Sequence, residues 1–187
     1  MPEAAPARPR GLRRYLLLIL VVAAVVADDQ ATKQYVERHL RGHTVAVLPG
    51  FDVRYTRNPG AAWGLLANTR EQVRRPFFIG VSLLAMLFIL AIYRRTAEDQ
   101  RRLRLALALV FGGAAGNFID RTASGYVIDF VDWHAHVFGR AHHWPTFNVA
   151  DAAITLGVVL IALELWPRRA AAPAGAAAPG EEPPAAP

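Results

Sequence analysis

The sequence predicts an all-α membrane protein: four transmembrane helices, with a small extracytoplasmic β-hairpin or sheet in the first outer connector. Three observations predict it. Four apolar segments divide the 187 residues. Hydrophobic residues make up 53% of the chain, and the mean hydropathy is +0.21, which is high for a soluble domain and suits a small membrane protein. Basic residues gather beside the apolar segments, the pattern that sets membrane orientation.

The first segment, "YLLLILVVAAVVA" (Tyr15 to Ala27), has 13 uninterrupted apolar residues. A spanning helix needs about 20 residues, with roughly 17 as the lower end. With "RPRGLRR" before it and Val25 and Ala27 at small-residue positions, it also reads as a secretory signal peptide. The opposing reading continues the helix through "DDQATKQYV". Asp29 and Lys33, spaced i, i+4, then share a face and pair in the acid-before-base order a helix favours. The stems of Arg13 and Arg14 would snorkel at the other end.

The second segment runs from Pro76 to Tyr93, the third from Leu103 to Ile119 and the fourth from Val149 to Trp166, all near spanning length. Between the first and second lies a connector, 28–75, in which "HTVAVL", "PG" and "FDVRYTR" read as a hairpin. Phe51, Val53 and Tyr55 alternate there with Asp52, Arg54 and Thr56, giving one apolar face that fits a sheet lying on the membrane surface. "AAAPAGAAAPGEEPPAAP", from Ala170, is low-complexity and reads as disordered. The expected organisation is a cytoplasmic tail over 1–12, a membrane domain over 13–167 and a tail over 168–187.

The N-terminus carries four Arg, the 94–104 connector five and "PRR" two, against only Arg121 and Arg140 in the 120–148 connector. Both termini and the short connector are therefore expected in the cytoplasm. Connector 28–75, with eight basic residues over 48 positions, departs partly from this rule. Net charge is +6 with a pI near 10.5, yet no basic groove interleaved with aromatics appears, so nucleic acid is not an expected partner.

In this topology the unusual polar residues fall at one membrane face: Asp29 and Lys33 at the end of helix one, "NPGAAWG" (58–64), "GNFIDR" (116–121), "GYVIDFVDWH" (125–134) and "FNVAD" (147–151). Asn117 with Asp120, and Asn148 with Asp151, are each spaced i, i+3 on one helical face. Helices three and four could aim both pairs into one cleft, and Gly112 and Gly116 of "FGGAAG" would let helices approach closely. The plainer reading of Asn148 and Asp151 is an N-cap with an acid at the positive end of the helix dipole.

Ionisable residues at membrane depth point to function. The chain has no cysteine, Ser82 and Ser124 have no base beside them, and no HExxH is present. His134, His136, His142 and His143 cluster without firm metal-ligand spacing, and no metal ligand is assigned. Two carboxylates brought together by helix packing would share a proton and activate water. By spacing, Asp120 is the tempting partner for Asp151. A proton-coupled transporter would want its carboxylates nearer the midplane, and a structural assembly protein would explain "FGGAAG" but not paired carboxylates.

The order "DQATK", "NPGAAWG", "GGAAGNFIDR", "GYVIDF", "FNVADAAITLG", spread over roughly Arg14 to Trp166, resembles the lipoprotein signal peptidase (signal peptidase II) family. Any one of these motifs is weak; five in order on a four-helix frame are specific. The resemblance implies a membrane-embedded aspartic endopeptidase. It would remove signal peptides from diacylglyceryl-modified bacterial prolipoproteins, cleaving before the lipid-modified cysteine. It implies Asp129 of "VIDF" and Asp151 of "NVAD" as the catalytic pair, with Asp120 in support, and it argues for retention of helix one. Asn58, Gly60, Asn117, Arg121 and Asn148 are expected to support substrate or pair, and Asp29 and Lys33 to stabilise the end of helix one. No cofactor is expected. The partners are the prolipoprotein and membrane lipid, the protein is expected to be monomeric, and Asp132 is a nearby decoy carboxylate.

Overall fold

The computed structural model describes residues 13–60, 66 and 69–166. The expected tails over 1–12 and 168–187 lie outside the described residues, as do positions 61–64 of "NPGAAWG". The elements are α1 (Arg13–His39), β1 (Thr44–Leu48), β2 (Phe51–Asn58), α2 (Glu71–Arg95), α3 (Arg101–Ala123), β3 (Val127–Val137), β4 (Arg140–His143) and α4 (Val149–Leu165).

Among the described residues three helices, α1, α2 and α3, are long and apolar enough to cross a membrane. The fourth, α4, has 17 residues. Helix α1 does not end near Lys33, as the sequence suggests, but runs unbroken for 27 residues to His39. Charge does not stop it because Lys33 is neutralised inside the bundle by Asp29 and by Asp120, each 2.7 Å away. Cleavage after Ala27 would cut this helix in the middle.

Helix α3 is the hub, packed against α1, α2 and α4. Small residues make that possible. A side chain at Gly116 would place its Cβ 2.6 Å from Asp29 Oδ2, and one at Gly113 would strike the Ala150 carbonyl of α4. At the other end of the bundle Leu18, Ile89, Tyr93, Leu107 and Ala108 form an apolar core. Arg14 does not snorkel there. It is buried and donates to the carbonyls of Arg94 (2.8 Å) and Thr96 (2.5 Å), which α2 leaves unpaired at its C-terminus. Large apolar side chains such as Leu20, Leu84, Phe88 and Leu163 point outward.

The expected hairpin is present: β1 and β2 pair antiparallel around Pro49-Gly50. Gly50 has φ +82°, and a Cβ there would lie 2.7 Å from the His134 carbonyl, so both its conformation and its neighbour demand glycine. The hairpin is only half of the sheet. β3 and β4, from the second connector, extend it to four antiparallel strands in the order β1-β2-β3-β4. The sequence hides β3 because adjacent residues Val127, Ile128, Asp129 and Phe130 are all buried, which erases the alternation that marks a one-sided strand.

Candidate active site

Two carboxylates meet where β3 crosses the start of α4. Asp129 projects from β3 and is 1% exposed. Asp151 lies in the first turn of α4. Their relative position is set by backbone. Phe147, just before α4, makes an isolated bridge to Val131: its amide donates to the Val131 carbonyl (3.1 Å), and its carbonyl accepts from the amides of Phe130 (3.0 Å) and Val131 (2.9 Å). The start of α4 is thereby pinned beside the strand that bears Asp129.

Asn148 joins the two acids. As N-cap of α4 its side-chain oxygen accepts from the Asp151 amide (2.9 Å), while Asp151 Oδ2 accepts from the Asn148 amide (3.3 Å), a complete capping box. Its Nδ2 meanwhile donates to Asp129 Oδ1 (2.7 Å). Capping and site-building are thus one arrangement, not alternatives. Asn58, at the end of β2, donates to Asp129 Oδ2 (2.9 Å), and Asn117 of α3 donates to Asp151 Oδ1 (2.8 Å). Every carboxylate oxygen of the pair therefore accepts a hydrogen bond from an asparagine.

Beneath lies a buried ionic layer. Lys33 donates to Asp29 (2.7 Å) and Asn117 Oδ1 (3.0 Å) and pairs with Asp120 (2.7 Å). Asp29 Oδ1 accepts from the Ala150 amide (3.0 Å), one of the donors exposed at the start of α4. Asp120 thus faces Lys33 rather than Asp151, which makes it a partner of the ionic layer despite its sequence spacing. Gln30 also belongs here, donating to Asp120 Oδ1 (2.8 Å). Sequence reasoning did not single it out, although it stands inside the quoted "DQATK" and three residues from Lys33, on the same helical face. Arg121 donates to the Gly60 carbonyl (3.4 Å), and its guanidinium sits 5.1 Å from the centre of the Phe78 ring. All ten residues singled out in the sequence are therefore connected in one network.

Asp129 and Asp151 both line a cavity of about 1060 Å³ with largely apolar walls, among them Phe78, Val81, Trp133 and Ile154. Burial, and then the negative charge of Asp151, push the Asp129 carboxyl up to about 7, against the pull of Asn58 and Asn148. Asp132, the decoy, does not line this cavity. It is held by Arg54 (3.1 Å) and His143 (3.0 Å).

Residues 21–167 match the family described as Signal peptidase (SPase) II. The chain belongs to the signal peptidase II family. Among its relatives, the lipoprotein signal peptidase of Geobacter metallireducens is 46% identical over 153 residues, 81% of this chain and 91% of the relative. That of Syntrophotalea carbinolica is 45% identical over 157 residues, 83% of this chain and 94% of the relative. A solved structure described as a bacterial membrane enzyme, obtained by the in meso method at 1.9 Å resolution, superposes with a TM-score of 0.68 at 34% identity, covering 80% of this chain and 92% of its own. Membership in the signal peptidase II family makes the protein a membrane peptidase.

Proposed function

We propose that this peptidase is of the aspartic type, with Asp129 and Asp151 as its catalytic pair, and that it removes the signal peptide from diacylglyceryl-modified prolipoproteins by cutting before the lipid-modified cysteine. One observation carries the reading: two carboxylates, the buried Asp129 of β3 and the half-buried Asp151 of α4, open onto one apolar cavity and are linked through Asn148. The names of the relatives supply the substrate class.

The reaction is amide hydrolysis without a covalent intermediate. The ionised aspartate takes a proton from a water molecule, which attacks the scissile carbonyl carbon. The protonated aspartate gives its proton to the carbonyl oxygen. As the tetrahedral intermediate collapses, the C–N bond breaks, the amine leaves with the proton from the first aspartate, and the second aspartate takes back a proton from one hydroxyl, which leaves a carboxylic acid and restores the singly protonated pair. Such a cycle needs one proton shared between two acids, and a carboxyl titrating at about 7 beside a second carboxylate suits it at neutral pH. Asn58 and Asn148 hold Asp129, Asn117 holds Asp151, and the ionic layer of Asp29, Lys33 and Asp120 fixes α1, α3 and α4 around them. Arg121, which lines the cavity, is suited to orient the substrate backbone, and Gly60 supports it by accepting from its guanidinium and donating to Asn58. The apolar cavity would take the peptide around the cleavage site, with the diacylglyceryl chains left in the surrounding lipid.

In this reading α4 is the fourth crossing, since 17 residues reach the lower end of spanning length. Both termini are cytoplasmic, and the sheet and active site lie at the extracytoplasmic face. Residues 13–167 form the peptidase domain, working as a monomer, with 1–12 and 168–187 as tails. The test is incubation of purified protein with a diacylglyceryl-modified prolipoprotein and its unmodified counterpart. Mass spectrometry should show cleavage directly before the modified cysteine and none in the unmodified chain. Equal cleavage of both would sink the lipid requirement, and cleavage elsewhere would sink the assigned reaction.

A further inference from the structure

The sheet has a second face. Asp129 and Trp133 of β3 line the cavity, so strand alternation turns Asp132 and His134 the other way. There they meet β4. His134 and His143 are direct cross-strand partners with rings stacked at 5.0 Å, and His143 Nδ1 lies 3.0 Å from both oxygens of Asp132. One donor atom from each of Asp132, His134 and His143 falls within 4.8 Å of the others. Asp52, opposite Asp132 in the β2–β3 register, brings Oδ2 to 3.8 Å from His134 Nδ1.

We propose that Asp132, His134 and His143 form a zinc-binding site that clamps β4 to β3, with Asp52 of β2 as the nearest fourth ligand. Two imidazoles and a carboxylate match the preference of zinc, whereas calcium and magnesium take oxygen donors. Zinc holds its ligands at about 2.0–2.2 Å, so its donors stand roughly 3.3–3.6 Å apart. His143 Nδ1 and Asp132 stand 3.0 Å apart and His134 Nδ1 and Asp52 3.8 Å, while the three donor atoms of Asp132, His134 and His143 lie within 4.8 Å of one another, a gap that side-chain rotation would close. Arg54 Nε sits 3.1 Å from Asp132 Oδ2, an ion pair on the oxygen other than Oδ1. Its positive charge opposes the ion, but Asp52 and Asp132 together outweigh it. The sequence conceals the site because Asp132, Asp52 and the two histidines come from three strands. His142, the immediate neighbour of His143, pairs with Ala135 and belongs to the opposite face.

Purified full-length protein carrying no polyhistidine tag, stripped with chelator and titrated with Zn²⁺ by calorimetry, tests this. One equivalent should bind, and thermal unfolding should move to higher temperature with zinc. His134→Ala and His143→Ala should each weaken binding by about tenfold or more and abolish the zinc-induced shift, while unfolding like the parent in chelator. Asp129→Asn and His142→Ala should bind as the parent does. No stoichiometric binding by the parent overturns the proposal. So does binding that survives loss of His134 and His143, or that is lost with Asp129 or His142.

Discussion

At the scale of single residues, burial sets the chemistry. Asp129 is held near 7 by burial and by the charge of Asp151. Removing that charge by Asp151→Asn should therefore lower the Asp129 value, measured by ¹³C-carboxyl NMR titration; an unchanged or higher value would mean that the acids do not interact. The sign for stability follows. The folded protein holds this proton more tightly than the unfolded chain, whose carboxyl titrates near 3.8, so the Asp129 contribution favours folding below 3.8 and is lost as pH rises toward 7. Lys33 is 1% exposed between Asp29 and Asp120. Lys33→Met strands two buried carboxylates and should destabilise the protein by about 3–5 kcal/mol in denaturant titration, whereas loss of an exposed pair would be worth at most about 1 kcal/mol.

At the scale of elements, close approach of helices carries the site. Asp29 is fixed by Lys33 and by the Ala150 amide, so a Cβ at Gly116, 2.6 Å from its Oδ2, has nowhere to push it. Gly116→Ala should cost about 1–3 kcal/mol of stability and reduce turnover. Gly80→Ala in α2, where a Cβ meets nothing within 4 Å, should be neutral or stabilising by up to about 1 kcal/mol; equal losses in unfolding assays would refute the close-packing argument. The helices and the β1–β2 hairpin were legible in the sequence because their patterning is one-sided or continuously apolar. β3 was not, since both of its faces are buried around Asp129. The same fact explains why spacing alone pointed to Asp120. An i, i+3 rule finds partners within a helix, whereas Asp151's partner comes from a strand, and only the family resemblance pointed to Asp129. Gln30 escaped for another reason: a neutral amide at a helix surface has no distinguishing pattern until the helix facing it is known.

At the scale of the whole molecule, the polar network gathers at one end of the bundle and the buried Arg14 and Arg104 at the other. The proposed topology, with α4 as a fourth crossing, puts those ends on opposite sides of the membrane. The chain has no cysteine, so single substitutions report cleanly. In intact cells, cysteine placed at exposed Ala46 of β1 should react with a membrane-impermeant maleimide from outside, and cysteine at Ala97 between α2 and α3 only after lysis. The reverse pattern would invert the topology.

The catalytic pair is the central claim, and single-turnover cleavage of a diacylglyceryl-modified prolipoprotein by Asp129→Asn and Asp151→Asn tests it most directly. Each variant should insert into the membrane and unfold cooperatively, yet cleave slower than the parent by on the order of 10³-fold or more. Near-parental turnover by either folded variant would contradict the pair.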